Sequence, residues 1–180
     1  MVAGIVIPSR RSMGTRIDAL REEIVDLLPR LRRFARTLAR NPQDADDLVQ
    51  TAVERALARA DQLRAGAAPA AWLFGIVRHA WIDEVRARRR RERVLAPQEL
   101  AESVADRTSG TEADFLAVED AMARLPEEQR TAVALVLIEG LSYKEAAEAM
   151  NVPIGTLTSR LARGREALQS FLAEPIGAPR

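Results

Sequence analysis

The stretch from Leu141 to Leu172 constrains the fold of this chain more than any other part of it. Ser142 followed by Glu145 forms a capping box, S-x-x-E, which predicts a helix beginning at Tyr143. Apolar or small residues then recur at helical spacing, at Tyr143, Ala146, Ala147 and Met150. Asn151-Val152-Pro153 ends this period, because proline disfavours a helical residue before it and fits the first turn of a new helix.

A second helix is predicted directly after this break. Its inward side keeps a 3-4-3-4-3 spacing of apolar or small residues, at Ile154, Leu157, Leu161, Gly164, Leu168 and Phe171. Two helices joined by about three residues, with small residues where they cross, are typical of a helix-turn-helix.

The outward side of the second helix carries short hydroxyl groups and arginines. Opposite the apolar stripe lie Gly155, Ser159, Ala162, Arg163 and Glu166, and Thr156, Thr158 and Arg160 lie on the flanks. Such a helix fits a DNA major groove, where hydroxyls and arginines contact base edges and phosphates. The alternative is an αα-hairpin of a helical bundle whose polar face meets only water, and the outward hydroxyls and arginines favour the DNA-binding interpretation over it.

Composition argues against an enzyme. The chain has no cysteine and a single histidine, His79, which excludes thiolate metal sites and leaves little for nucleophilic or acid–base catalysis. No glycine-rich phosphate loop occurs. We therefore expect no catalytic residue, metal, cofactor or small-molecule substrate. With 47% hydrophobic but 4% aromatic residues, the cores should be aliphatic and helical.

Charge divides the chain into modules. Residues 1–95 hold 19 arginines against 12 acidic residues, whereas residues 96–124 hold 2 against 7. Residues 125–180 are nearly neutral, with 6 Lys or Arg against 7 Asp or Glu. A basic segment over residues 1–95 and an acidic segment over residues 96–124 indicate two modules joined by a linker. The basic module is expected to bind a polyanion.

The basic module is predicted to be helical. Apolar periodicity from Ile17 to Phe34 is interrupted by Pro29, which predicts either two helices or one kinked helix. A further helix with acidic residues in its first turn should run to about Leu63. Its polar side is Asp44, Asp47, Gln50, Thr51 and Glu54, which solvation explains as well as a partner does.

Residues 70–94 predict one long helix, in which Trp72 and Trp81 have the spacing of core residues. Six arginines occur within residues 86–93, more than a helix C-terminus needs, and such a run can dominate non-specific DNA affinity.

After the acidic linker, helical spacing resumes at Phe115, Val118, Met122 and Leu125. Pro126 should begin another helix, which buries Val133, Val136 and Leu137 and ends at Gly140.

Three stretches together resemble the extracytoplasmic-function (ECF) sigma factors, the small two-domain class of bacterial RNA polymerase initiation subunits. DADDLVQTAVERAL is similar to the family's polymerase-binding helix, and AAWLFGIVRHAWIDEVRARRRR to its promoter-melting helix. Residues 125–168 are similar to its second DNA-binding domain.

The resemblance implies an all-α fold of two small helical domains, an N-terminal helical bundle and a C-terminal helix-turn-helix, joined by a flexible linker. The implied boundaries are a disordered tail over 1–14, region 2 over 15–94, the linker over 95–113, region 4 over 114–172 and a tail over 173–180. Met1 and Met13 both remain candidate starts.

Three groups of site residues follow from the same resemblance. Core polymerase would contact Asp44, Asp47, Leu48, Gln50 and Glu54. The minus-ten element would be read and opened by the loop near residues 62–69 with Arg78, His79, Arg86, Arg89 and Arg90. The minus-thirty-five element would meet Ser159 and Arg163 at its bases, with Thr156, Thr158 and Arg160 at its backbone or flanks.

Two positions depart from the family's pattern. The family commonly has asparagine at the position of His79, and imidazole cannot present an amide's paired donor and acceptor. Thr158 stands where lysine or arginine is frequent, which removes one phosphate contact.

The implied function is promoter-specific initiation by core RNA polymerase on promoter DNA, controlled by an anti-sigma factor. We expect no membrane insertion, a cytoplasmic location and association with the nucleoid when active. Two rival readings remain: a helix-turn-helix regulator that acts without being a polymerase subunit, and a helical adaptor protein.

Overall fold

The described part of the chain folds into seven α-helices, and no strand occurs within it. The computed structural model describes residues 10–39, 41–63, 68–94 and 111–173, with side chains for 17–39, 41–63, 68–91 and 117–173. The linker segment 95–110, the loop segment 64–67 and the end segments 1–9 and 174–180 lie outside these residues.

The N-terminal unit consists of three long helices. Helix α1 spans Arg10–Ala39 as one helix that contains Pro29, so the alternative of two separate helices is wrong. Helix α1 begins before residue 15, where the N-terminal domain was expected to start. That boundary was placed too late because the apolar period, which marks the helix in the sequence, begins only at Ile17.

The helices α2 and α3 complete this unit. Helix α2 spans Pro42–Ala58, with the Asn41 side chain accepting the amides of Gln43 and Asp44. It ends before the predicted Leu63, and a 3₁₀ turn follows at Ala60–Gln62. Helix α3 spans Pro69–Val94, as predicted.

Aromatic and aliphatic side chains fill the centre of this bundle. The Phe34 ring meets the Phe74 ring edge to face, with centroids 5.3 Å apart. Leu31, Val49 and Val77 pack in the same core, and Trp72 and Trp81 pack against it half-buried, as predicted. The core of the bundle is therefore largely aliphatic, with one aromatic pair at its centre.

The C-terminal unit contains four helices. Helix α4 spans Thr111–Arg124, and α5 spans Glu127–Val133 and continues through a π-helical turn at Ala134–Ile138. Helix α6 spans Tyr143–Met150 and α7 spans Ile154–Ala173, which confirms the predicted helix-turn-helix. The capping box of Ser142 and Glu145 is present, and Gly140 has the left-handed φ of +68° expected after a helix end.

Four apolar side chains predicted to be inward are exposed instead: Val118, Leu137, Tyr143 and Ile154. Leu137 is 51% exposed because the π-helical turn takes one more residue than an α turn and offsets the apolar period there. Tyr143 and Ile154 occupy the first positions of α6 and α7, where the facing helix does not reach. Among the described helices, none is both long and apolar enough to cross a membrane.

Candidate nucleic-acid interface

The turn between α6 and α7 fixes the direction of α7. Asn151 adopts a left-handed φ of 51°, and the amide of Val152 donates to the Ala147 carbonyl at 3.0 Å. Together with the Asn151 amide, which donates to the Glu148 carbonyl at 3.0 Å, this bond forms a Schellman motif, and asparagine tolerates the left-handed conformation better than most residues. Pro153 then precedes the first turn of α7, so the chain reverses within three residues.

The inner side of α7 packs closely on α5. Leu157 and Leu161 are buried, and Gly164 faces α5 with no room for a side chain. A Cβ at Gly164 would lie 2.8 Å from Cγ2 of Val133. This close approach holds the opposite side of α7 outward.

That outward side carries the predicted residues. Ser159 and Arg163 are exposed, together with Gly155, Ala162 and Glu166. The Thr158 hydroxyl donates to the Ile154 carbonyl at 2.9 Å, and the Ser159 hydroxyl donates to the Thr156 carbonyl at 3.0 Å. Because each hydroxyl proton is used within the helix, the oxygen lone pairs remain as outward acceptors.

Arg160 differs from this group. Its side chain turns toward α5, and its Nη1 lies 2.7 Å from Oε2 of Glu128 as an ion pair rather than a well-directed hydrogen bond. Of the predicted minus-thirty-five residues, Thr158, Ser159 and Arg163 lie exposed, whereas Thr156 and Arg160 are half-buried and Arg160 is paired with Glu128.

Helix α3 places three of its predicted residues on one exposed stripe. His79, Arg86 and Arg90 are spaced i, i+7 and i+11, which superimposes them along a helix, and Arg89 lies on the adjacent stripe. The Nδ1 atom of His79 lies 2.7 Å from the Gly75 carbonyl. Since a carbonyl only accepts, Nδ1 donates this bond, and Nε2 is the ring nitrogen left for an outside partner.

Arg78 does not share this stripe. The residue is 8% exposed, and its Nη2 donates to Oε1 of Glu128 at 3.1 Å. Arg78 is therefore buried beside Glu128 of α5 rather than exposed on this stripe, and its contact with the minus-ten element stays a prediction.

Arg88, one of the six arginines within residues 86–93, stabilises the fold through ion pairs. Arg88 donates to Glu84 at 2.7 Å and lies 2.8 Å from Asp44 of α2. These contacts raise the pKa of Arg88 above its ordinary value, and the hydrogen bond from Arg88 lowers the pKa of Glu84. Glu84 also pairs with Arg91 at 3.0 Å.

Helix α2 carries the predicted polymerase-facing residues, and three of them share an exposed face. Asp47, Gln50 and Glu54 are exposed at spacings of three and four, and Gln50 Nε2 donates to Glu54 Oε1 at 3.1 Å. Leu48 is 6% exposed and belongs to the core, so it lies beneath this face rather than on it. Asp44 is engaged by Arg88.

The ion pairs that join the two units were not predicted from the sequence. Glu139 is held by Arg30 and Arg33 of α1, and Glu128 lies between Arg78 and Arg160. One signal for Glu139 was available, since a carboxylate at a helix C-terminus opposes the helix dipole and needs another reason to be there. Within the described residues, no group of His, Asp or Glu has the arrangement of a metal site.

The chain is similar to known proteins along most of its length. Two family models match it, described as sigma-70 region 2 over residues 24–91 and sigma-70 region 4 over residues 115–168. The ECF RNA polymerase sigma factor EcfG of Rhodopseudomonas palustris is 38% identical over 156 residues, which cover 86% of each chain. The ECF sigma factor SigM of Mycobacterium tuberculosis is 42% identical over 142 residues, covering 79% of this chain and 71% of that relative.

The fold has a solved counterpart. The sigma factor RpoE from Bartonella quintana, solved in complex with the anti-sigma factor NepR, matches with a TM-score of 0.72 and 32% identity. The match covers 87% of this chain and 99% of that one.

Proposed function

The chain belongs to the ECF family of RNA polymerase sigma factors, and we propose that its two helical units divide promoter recognition between them. The observation that carries this proposal is the outward side of α7, where Ser159 and Arg163 are exposed on a helix-turn-helix. We assign the N-terminal unit to residues 15–94 and the C-terminal unit to residues 114–172, with residues 95–113 as the linker.

The C-terminal unit reads the minus-thirty-five element. Helix α7 enters the major groove, where Arg163 contacts guanine edges or a phosphate and Ser159 contacts a base edge. Thr156 and Thr158 contact the backbone at the N-terminal end of the helix, where free amides also favour phosphate. Arg160 joins them only after leaving Glu128.

The N-terminal unit reads and opens the minus-ten element. The stripe of His79, Arg86 and Arg90, with Arg89 beside it, supplies phosphate contacts along the single strand and the adjoining duplex. Extruding a base costs a few kcal/mol, which these contacts and a base pocket must offset. The single remaining ring nitrogen of His79 cannot present an amide's paired donor and acceptor, so its preferred base should differ from the one an asparagine selects.

Core polymerase binds the exposed face of α2. Asp47, Gln50 and Glu54 offer acidic and amide groups on a rigid helix, whereas Leu48 supports that face from the core. Asp44 contributes through its pair with Arg88, which ties α2 to α3. The binding energy of these contacts, rather than any bond chemistry in this chain, is its contribution to RNA synthesis.

We further propose an anti-sigma factor as the controlling partner. The similar RpoE from Bartonella quintana was solved with the anti-sigma factor NepR, and 99% of that chain is matched here. The protein would then act in the cytoplasm and associate with the nucleoid when released.

Run-off transcription tests the proposal. Core RNA polymerase is supplied with a pool of randomised promoters, with and without this protein, and the transcribed templates are sequenced. Transcripts that require the protein and share two spaced elements support the proposal. Sequence-specific DNA retention without polymerase, and no dependent transcripts, would instead support a regulator that acts without being a polymerase subunit.

A further inference from the structure

An acidic residue lies among the α3 residues that the proposed function places against DNA. Asp83 follows His79 by four positions and precedes Arg86 by three, so the three side chains project from the same side of the helix. The Asp83 side chain is 55% exposed. A carboxylate at this place is repelled by phosphates, so it cannot serve as a contact to the DNA backbone.

Of the two α3 carboxylates whose side chains the structure describes, only Asp83 is held from another helix. Glu84 lies about 100° further around α3 and accepts from Arg88 and Arg91 of the same helix. For Asp83, Nη1 of Arg55 in α2 donates to Oδ2 at 2.7 Å. Arg55 thereby fixes the direction of the Asp83 carboxylate and offsets part of its negative charge.

The stability of the fold does not account for this ion pair. Both partners are partly exposed, with 34% of the Arg55 side chain and 55% of the Asp83 side chain open to water. Ion pairs at such exposure add little to stability, because water solvates both charges when they separate. Recognition of DNA therefore explains an oriented carboxylate on this side of α3 better than stability does.

One carboxylate oxygen of Asp83 remains open. Oδ2 accepts from Arg55, whereas Oδ1 makes no hydrogen bond or ion pair with any part of the chain that the structure describes. An ionised carboxylate only accepts hydrogen bonds, so its partner on a base must be a donor. In the major groove, cytosine N4 and adenine N6 are donors, whereas guanine and thymine present carbonyl oxygens that a carboxylate repels.

Cytosine fits the open oxygen better than adenine does. Adenine carries the acceptor N7 beside its N6 amine, and N7 would repel a carboxylate that approaches the amine. Cytosine has no acceptor of its own beside N4 at this edge, and aspartate and glutamate commonly accept from that amine.

We propose that Asp83 selects cytosine at one position of the minus-ten element through Oδ1, and that Arg55 is the positioning residue that orients Asp83. This role rests on the proposed function, because it requires α3 to meet the bases of that element. From His79 to Asp83 the helix rises about 6 Å, which is roughly two base steps of DNA. The selected cytosine should therefore lie within about two bases of the position that His79 influences.

Base selection from a randomised promoter pool tests the role of Asp83. Core RNA polymerase transcribes the pool with each variant, and the transcribed templates are sequenced. Asp83→Ala should lower the preference for cytosine at one minus-ten position about tenfold, the effect of one hydrogen bond to a charged group. Asp83→Asn should move the preference at that position from cytosine toward adenine, because a side-chain amide matches adenine N6 and N7 together.

Asp46→Asn is the matched control. Asp46 of α2 pairs with Arg32 of α1, and its side chain is 57% exposed. The substitution thus removes an equally exposed carboxylate from a pair between two helices of the same unit, without touching α3. It should leave base selection at every position as in the unmodified protein.

The positioning role of Arg55 has its own readout. Arg55→Ala should lower the cytosine preference at the same position by less than Asp83→Ala does, because the carboxylate remains but is no longer oriented. In the Asp83→Ala background, Arg55→Ala should leave that preference unchanged, since Arg55 acts only through Asp83. A purely structural effect would instead lower the transcript yield at all promoters, with base preferences kept, and would refute the positioning role.

The outcomes separate this role from the proposed function. If the unmodified protein gives no dependent transcripts, the proposed function fails and the role of Asp83 fails with it. If dependent transcripts appear but Asp83→Ala keeps every base preference, or Asp46→Asn changes the same position equally, only the role of Asp83 is refuted. A further change in base preference by Arg55→Ala in the Asp83→Ala background would refute the positioning role of Arg55 alone.

Discussion

Replacing Gly164 with alanine should show how tightly the reading helix is held. Gly164 lies on the inner side of α7, where an added Cβ would be 2.8 Å from Cγ2 of Val133 and 3.3 Å from the carbonyl oxygen of Gln129. Val133 is itself buried, and the carbonyl belongs to the α5 backbone. Neither neighbour can move away freely, so α7 must shift outward or the core must repack.

The magnitude follows from two opposing terms. Alanine gains about 1 kcal/mol over glycine in a helix interior, whereas overpacking a well-packed core costs about 1–3 kcal/mol. Gly155 offers the matched control on the same helix, because a Cβ there meets no atom within 4 Å. Most of the propensity gain is shared by the two alanine variants. Gly164→Ala should therefore be about 1–3 kcal/mol less stable than Gly155→Ala.

Urea unfolding followed by circular dichroism measures this difference, and Val133→Ala identifies its cause. If the Cγ2 contact is responsible, Gly164→Ala should cost about 1–3 kcal/mol less in the Val133→Ala background than in the unmodified protein. Equal stability of the two glycine variants, or simple additivity of Gly164→Ala and Val133→Ala, would refute the reasoning. A shift of α7 should also weaken promoter selection without removing any outward side chain.

Three further predictions concern the candidate surfaces. Arg163→Ala should cost about 1–3 kcal/mol at one base pair, seen as lost preference at one position of the run-off pool, whereas exposed Arg165→Ala off the outward stripe should not. Asp47→Ala should weaken competition for core polymerase about tenfold, as one charge-assisted contact is lost. The hydrogen bonds of Ser142 hold the pKa of Glu145 below its ordinary value, so the stabilising effect of the ionised carboxylate is present above that ordinary value and is lost as pH falls through the lower folded-state pKa. The stability difference between the unmodified protein and Glu145→Ala should accordingly shrink in acid, as pH-dependent urea unfolding can measure.

The helix-turn-helix could be predicted because its signals are local. The capping box at Ser142 and Glu145, the left-handed Gly140 and the break before Pro153 each act within a few residues of the chain. Such signals do not depend on what the rest of the protein does, and the structure places all of them as expected. The same holds for α3, whose apolar period persists over many turns.

Exposed residues were harder to distinguish from buried ones where packing of another helix determines the burial. Leu48 fits a polymerase-facing motif by position but is buried in the core, and Arg78 fits a DNA-facing helix but is buried and paired with Glu128 of α5. The pair of Arg33 and Glu139 spans 106 positions of sequence, and no periodicity connects such residues. Predicting it would require the arrangement of the two units, which local patterns do not contain.

The arginine run of α3 shows how such contacts reduce the positive charge that a helix can offer to DNA. Six arginines occur in residues 86–93, and the side chains of five of them are described. Arg88 and Arg91 are paired with carboxylates of α2 and α3. Arg86, Arg89 and Arg90 make no ion pair with any residue whose side chain the structure describes.

The salt dependence of DNA binding should follow this division rather than the count of arginines. Each neutralised phosphate contributes about −0.9 to the slope of log affinity against log salt, so three free arginines give about −2.7 and five would give about −4.5. Arg89→Ala should therefore reduce the slope by about 0.9, measured by fluorescence anisotropy on duplex DNA. Arg88→Ala should change it by less than about half of that, because this arginine is already neutralised by Asp44 and Glu84. Equal slopes for the two variants would mean that Arg88 leaves its carboxylates on binding DNA, and that the whole run acts as one polycation.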